Sequence, residues 1–516
     1  MKHRIAHTYR PWIWIAALLV LGSGGCTGDF DEINISPTAV QEDRIDEDLL
    51  FTRALVYGAL RYTEFQRAQH LYANHYIQYY AMAVDRFETG RYITRNDWLT
   101  DYWRAAYADF GMQNQQVINI AQKEVRKANK VAMARIWKVF IMHRITDFWG
   151  DVPYFDAFSG DITPVYDPQA DIYTDMLDEL RDAAASFSPE ADATFGPADI
   201  LYQGDIDAWA RFANSLRLRL AMRISDADPA LAEQHVREVL EDGRLISSNA
   251  ENALMPYGRD FGNADENIQP MSLIRSFNEY RVSTTLAGYL KDNNDPRLEL
   301  YMAPNEAGEY VGLRNGLNPS EINALNPNNF SRESQLISNP YAPSVLLSYS
   351  EVQFLRAEAA LRGWGSGSAQ SYYESGVRAS IEFWLDVRDG LYSRVPADEA
   401  QAIPDTEVTE ADIDAYLEEP GIAFDPGRAL EQIITQKWLA NINQGFEAYA
   451  DYRRTGFPQL NPIPNTDGAS ETGGSALPRR VRYPAEEQAL NRENYQAAVA
   501  RQGPDLPTTR MWWDQQ

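Results

Sequence analysis

The chain has 516 residues, with 74 acidic against 47 basic side chains and a net charge of −27. At 44% hydrophobic and 23% charged residues it has the make-up of a packed globular protein, not of a disordered one. The acidic balance argues against nucleic acid as a partner, because phosphate binding needs a basic stripe, and a single cysteine, Cys26, excludes internal disulfides and multi-cysteine zinc sites.

The first segment reads as an address. Lys2, Arg4 and Arg10 precede the apolar run Pro11 to Leu21, which is about half the ~20 residues a spanning helix needs. Gly22-Ser23-Gly24-Gly25 follows, so residues 1–25 read as a secretory signal peptide. Cys26 directly after it reads as a lipobox cysteine that becomes the lipidated first residue, although a lipobox usually has Leu where Ser23 stands. Several acyl chains on one residue anchor far more firmly than one. Residues 26–44 then form a linker, in which Asp29, Asp31 and Glu32 are either an export signal to the outer face of the outer membrane or simply acidic linker.

The body, residues 45–516, reads as one domain built of helix after helix. Asn96-Asp97 opens a helix with Trp98, Tyr102, Ala105 and Ala106 on one face. Val131 to Ile145, Asp171 to Ala184 and Asp205 to Ser225 carry further single stripes. Arg217, Arg219 and Arg223 on the last of these are expected to pair with acids of a neighbouring helix. Ser348-x-x-Glu351 is a capping box, closed by Gly363 at the far end. A second helix from about Ala369 to Trp384 makes a helical hairpin with it, similar to a tetratricopeptide unit but without a strict 34-residue repeat. Asp425-Pro426 is expected to start another helix that runs to about Asn443 and stops at Gly445. Strand signals are few. Long irregular stretches interrupt the helices; 303–343 alone holds eight asparagines and five prolines, and loops of that length are usually functional or disordered. The fold class is therefore all-α, helix hairpins with large loop insertions.

Motifs for chemistry are missing. No His-Glu-x-x-His, nucleophile elbow, Walker loop or dinucleotide fingerprint occurs, and His70 and His75 stand five apart, the wrong spacing for one α-helical face. Asp292-Asn293-Asn294-Asp295 resembles part of a calcium loop but lacks its glycine and its later acid, and is better read as a turn ended by Pro296. No catalytic residue, metal ligand or cofactor is assigned. Aromatic residues are plentiful. Trp98, Trp103, Trp137, Trp209 and Trp438 lie on helical stripes and are expected in the core, whereas Tyr257, Phe261, Tyr280, Tyr310 and Tyr341 lie in loops rich in polar residues. Flat rings there can stack on sugar faces while Asn and Asp meet the hydroxyls. Tyr257, Phe261, Tyr280 and Tyr310 are the expected ligand contacts, and the alternative for each is that it packs its loop onto the scaffold.

The motifs in order resemble the SusD/RagB family of outer-membrane lipoproteins. They are Asp29-Phe-Asp-Glu-Ile-Asn34, Phe148-Trp-Gly-Asp-Val-Pro-Tyr154, Trp209-Ala-Arg-Phe-Ala-Asn-Ser-Leu216, Glu351-Val-Gln-Phe-Leu-Arg-Ala-Glu-Ala359, Gln436-Lys-Trp-Leu439, Asp451-Tyr-Arg-Arg-Thr-Gly-Phe-Pro458 and Trp512-Trp513-Asp514. The resemblance implies an all-α body with tetratricopeptide-like helix pairs and a loop-rich ligand-binding half, here about 242–345. It implies a lipid-anchored, non-enzymatic subunit at the cell surface. Such a subunit binds nutrients, commonly oligosaccharides and sometimes peptides, and delivers them to a SusC-like TonB-dependent transporter. The acidic balance favours a neutral or cationic ligand unless a local basic patch reverses it. Two other classes stay open, a surface glycoside hydrolase and a tetratricopeptide scaffold that binds only proteins.

Overall fold

The computed structural model describes residues 46–191, 193–258, 268–465, 472 and 476–516. Residues 1–45, with Cys26, Asp29, Asp31 and Glu32, lie outside the described residues, as does Phe261. From Glu47 to Gln516 the chain forms one unit, and its frame is helical.

The first helices are α1 (Glu47–Gly58), α2 (Asn96–Arg104), α3 (Met112–Ala121), α4 (Ala128–Trp149), α5 (Gln169–Ser186), α6 (Ile206–Arg223) and α7 (Pro229–Asp242). From α3 to α7 each packs against its neighbour in sequence, in the manner of tetratricopeptide pairs. Local chemistry sets the ends. The Asp205 carboxylate caps α6 by accepting from the N–H groups of Asp207 and Ala208, Pro229 begins α7 behind the Asp228 cap, and Gly150, at φ +89°, turns the chain out of α4.

The second block holds α8 (Pro270–Ser276), α9 (Thr284–Asp292), α10 (Tyr349–Leu361), α11 (Ala369–Tyr392), α12 (Glu410–Glu418), α13 (Ala429–Ala440) and α14 (Gly445–Thr455). The predicted hairpin is α10 packed on α11, with α13 against both. Two expectations are corrected. The box at Ser348 is half made: its hydroxyl accepts from Glu351 N–H, but the Glu351 carboxylate turns inward to Arg219. Asp425 holds an Asx turn through Gly427 N–H, so the helix starts only at Ala429, and Gly445 begins α14 instead of ending α13.

Four short strands interrupt the helices. β1 (Tyr80–Met82) pairs antiparallel with β3 (Tyr280–Val282), and β2 (Ala253–Met255) with β4 (Ser344–Leu347) across an irregular register. They tie the loop-rich stretch to the helical frame.

The helical frame encloses charge as well as apolar side chains. Arg219 forks onto Glu351 at 2.7 Å on both arms. Arg223 reaches Glu447 at 2.6 Å, and Lys437 reaches Glu447 at 2.9 Å and Asp451 at 2.8 Å. Arg454 is bidentate on Glu358. These partners come from α6, α10, α13 and α14, and all are buried. Arg217 pairs with Glu238 of α7. The arginine row of α6 is thus structural.

Residues Phe65–Asn74 form a π-helix. Its wider turn aligns residues five apart, and the His70 and His75 rings meet edge to face with centroids 4.9 Å apart. The His75 Nδ1 proton goes to the His70 carbonyl at 2.6 Å. Burial pushes His75 down to about 4 and His70 well below its usual value, so the pair is neutral packing. The spacing that argued against a shared face was judged by α-helical geometry; the π-turn overrides it.

Candidate functional site

A cleft of about 540 Å³ opens within the loop-rich stretch. One wall is α8, presenting Ser272, Leu273, Arg275 and Ser276; the other is the chain from Arg332 to Tyr341. Pro270 at the first turn and the Gln269 side chain, which accepts from Ser272 N–H, start α8. Gln269 Nε2 also donates to Ile337 O at 3.2 Å and so fastens the helix to the facing wall. A second clasp is Arg275 Nη1 to Glu333 Oε1 at 2.6 Å, with Glu333 fully buried. The far wall is stiffened from within: Ser338 Oγ donates to Ser334 O at 3.0 Å, and Asn339 Oδ1 accepts from Tyr341 N–H.

The lining is mixed. Ile268, Leu273, Pro340 and the half-buried Tyr341 ring supply apolar surface, and Ser272, Ser276, Gln335 and Ser338 supply hydrogen-bonding groups. Such a floor can meet the C–H face of a sugar and its hydroxyls together. Gly258 stands at the rim with φ +151°, and a Cβ there would lie 3.4 Å from the Tyr341 ring. Just past α8, Phe277 is 46% exposed and its ring centroid is 6.2 Å from that of Tyr62.

The expected contacts fall elsewhere. Tyr280 is fully buried in β3, edge to face with Tyr80 at 5.0 Å and His70 at 4.6 Å. Tyr257 is 4% exposed, and its carbonyl accepts from Arg394 at 3.2 Å. Neither ring has a free face, so the packing alternative describes both. Tyr310 is half-buried beside Glu299 and is not among the residues that line the cleft. Among the described residues, Tyr341 is the one of the loop rings singled out that lines it. Trp98 is a correction in the other direction: it is half-exposed, 5.5 Å from the Phe87 ring, with the Arg95 guanidinium 4.6 Å above it. The other four tryptophans of the stripes are buried.

Sequence reasoning missed Arg275 and Arg332, which stand 57 residues apart in the chain and meet where Arg332 Nη2 donates to Arg275 O. No sequence signal singled them out, because they are two of eight basic residues spread through the stretch 242–345. The calcium-like run is spent internally: the Asp295 carboxylate takes Arg297 at 2.6 Å and the Tyr416 hydroxyl at 2.7 Å. Among the described residues no acid or histidine cluster suited to a metal ion occurs.

The sequence model of the family described as "SusD-like: Susd and RagB outer membrane lipoprotein" matches residues 32–514. A solved structure titled as a chitin-binding protein superposes with a TM-score of 0.78 at 31% identity, covering 91% of this chain and all of its own. A chitin-binding SusD homologue from Flavobacterium johnsoniae gives 0.73 at 29% identity, over 91% of this chain and 97% of that one. A SusD homologue from Bacteroides uniformis gives 0.76 at 27%, over 92% and 100%. A comparison with curated proteins found no match. With the family's sequence pattern running through nearly the whole helical frame, the chain belongs to the SusD-like family of outer-membrane lipoproteins.

Proposed function

We propose that the protein binds an oligosaccharide in the cleft between α8 and residues 332–341 and passes it to a SusC-like TonB-dependent transporter. The observation that carries this reading is the cleft itself, a clasped, half-apolar groove on a frame whose relatives include proteins titled as chitin-binding. The described lining residues include no carboxylate, whereas glycoside hydrolysis needs two flanking the bond; the groups present suit holding a ligand. In this reading Cys26 carries the lipid that tethers the body to the outer membrane, with Asp29, Asp31 and Glu32 directing it to the outer face. The rigid hairpins α3–α4 and α10–α11 offer the area that a lasting interface with the transporter requires.

The test is titration of the body from residue 27 onward with a panel of neutral and acidic oligosaccharides, followed by mass spectrometry of the recovered sugar. The expected result is saturable heat with unshortened ligand. Tyr341→Ala is expected to weaken binding about 10-fold, the loss of ~1.4 kcal/mol of ring contact. Shortened products, or no binding across the panel, would overturn the proposal.

A further inference from the structure

We infer that the cleft selects an anionic glycan, an oligosaccharide bearing carboxylate or sulfate groups; this rests on the glycan reading above and names its substrate class. In a chain of net charge −27 the cleft is locally basic. Arg275 and Arg332 line it, and no described lining residue is acidic. Arg394 stands at the rim, its Nη2 held by the Tyr257 carbonyl and its guanidinium 6.0 Å from the Tyr341 ring centroid. Behind the wall Arg281 is buried, and its guanidinium donates to the carbonyls of Pro327 and Tyr280.

Against these four cations the wall sets one carboxylate, Glu333, which is buried and paired with Arg275. Burial, and after it the neighbouring Arg332, push Arg281 down to about 10. Arg332 is under-satisfied as well. It donates to Arg275 O, and its buried Nε has no partner. Segment 259–267, outside the described residues, is not counted in this balance.

The contrast with the second large cleft makes the point. That groove, about 420 Å³, is lined by Asp295, Glu299, Glu407, Asp412 and Glu419. An acidic surface surrounding a basic groove repels an anionic chain everywhere except where it is to be held, and low-dielectric walls focus that field. Guanidinium forks match carboxylate and sulfate oxygens bidentately, while a neutral sugar offers Arg332, the lining arginine without a carboxylate partner, only hydroxyl oxygens and no charge to pair with.

The experiment measures affinity for tetragalacturonate, its methyl ester, a heparin-derived tetrasaccharide and chitotetraose at 20 mM and 300 mM NaCl. At low salt the acid is expected to bind at least ~10-fold more tightly than its ester, with the preference shrinking at high salt as screening sets in. Comparison of the galacturonate and heparin arms separates carboxylate from sulfate recognition. Arg332→Gln, and separately the exposed Arg394→Gln, are expected to bring the acid-to-ester ratio towards one, with folding verified by circular dichroism. Equal binding of acid and ester, or a ratio unmoved in both variants, overturns the inference. If chitotetraose binds and neither acid does, the anionic selectivity falls while the glycan reading stands; if nothing binds, both fall.

Discussion

Replacing Arg219 by Met tests whether the buried charges between the helices hold the frame together. Arg219 and Glu351 have 2% and 0% of their side chains exposed. Two bonds of 2.7 Å join them, and Arg219 Nη2 also serves the Leu346 carbonyl at 2.8 Å. Methionine fills similar volume but leaves Glu351 with Lys437 at 3.4 Å as its remaining cation, and Lys437 is already shared with Glu447 and Asp451. Removing one partner of a buried pair costs about 3–5 kcal/mol, because the other charge stays buried uncompensated. Over the unit Glu47–Gln516 the unfolding entropy is about 1 kcal/mol per kelvin, so Tm should fall by about 3–5 °C. Differential scanning calorimetry reads the shift. The double variant Arg219→Met, Glu351→Met removes the orphaned acid and should recover most of the loss, since an apolar pair can replace a buried ion pair at little cost. A single-variant shift below about 1 °C, or a double variant that loses as much as the two singles together, would refute the reasoning.

Stability should also fall between pH 6.5 and 4. Unfolded histidine takes up a proton near 6.5, whereas buried His75 resists until about 4 and His70 until lower still. The unfolded state therefore binds more protons in that window. The contribution is complete above the unfolded value and lost as pH drops, about 3 kcal/mol for His75. His75→Gln should flatten the pH dependence of the urea midpoint there; an unchanged slope would count against the assignment. Gly445→Ala should destabilise by about 1–3 kcal/mol in urea melts, because a Cβ would stand 2.7 Å from Asn74 N and 3.0 Å from Ala73 C, backbone atoms at the end of the π-helix; unaltered stability would mean that the π-helix and α14 can move apart freely. Cys26→Ala should abolish labelled-lipid incorporation and release the protein from the membrane fraction, while changing Asp29, Asp31 and Glu32 to Ala should leave lipidation intact and hide the protein from external protease. Retained labelling in the first variant, or unchanged protease access in the second, would refute the corresponding role.

Helices were legible from sequence because their signals are local. The stripes of residues 171–184 and 205–225 repeat within a few turns, and Asp205 caps a helix through atoms two and three residues away. The family pattern was legible for the same reason, being written in short runs such as Glu351 to Ala359. What those runs do was not. Glu351 looked like half of a capping box, and only the arrival of Arg219 from a helix 132 residues earlier turned it inward. The histidines five apart could be placed together only once the backbone had widened into a π-turn. Loop aromatics were the least readable. Tyr257, Tyr280 and Tyr341 sit in similar polar sequence, yet two are buried and one lines the cleft, because burial depends on which distant segment covers a ring. The cleft joins residues 268–276 to 332–341, and the described residues that line it include two arginines and no acid, against the charge of the whole chain. Sequence determined the helices and the family through contacts a few residues long; tertiary structure alone decided the site, whose walls and charges meet only after the loops have packed.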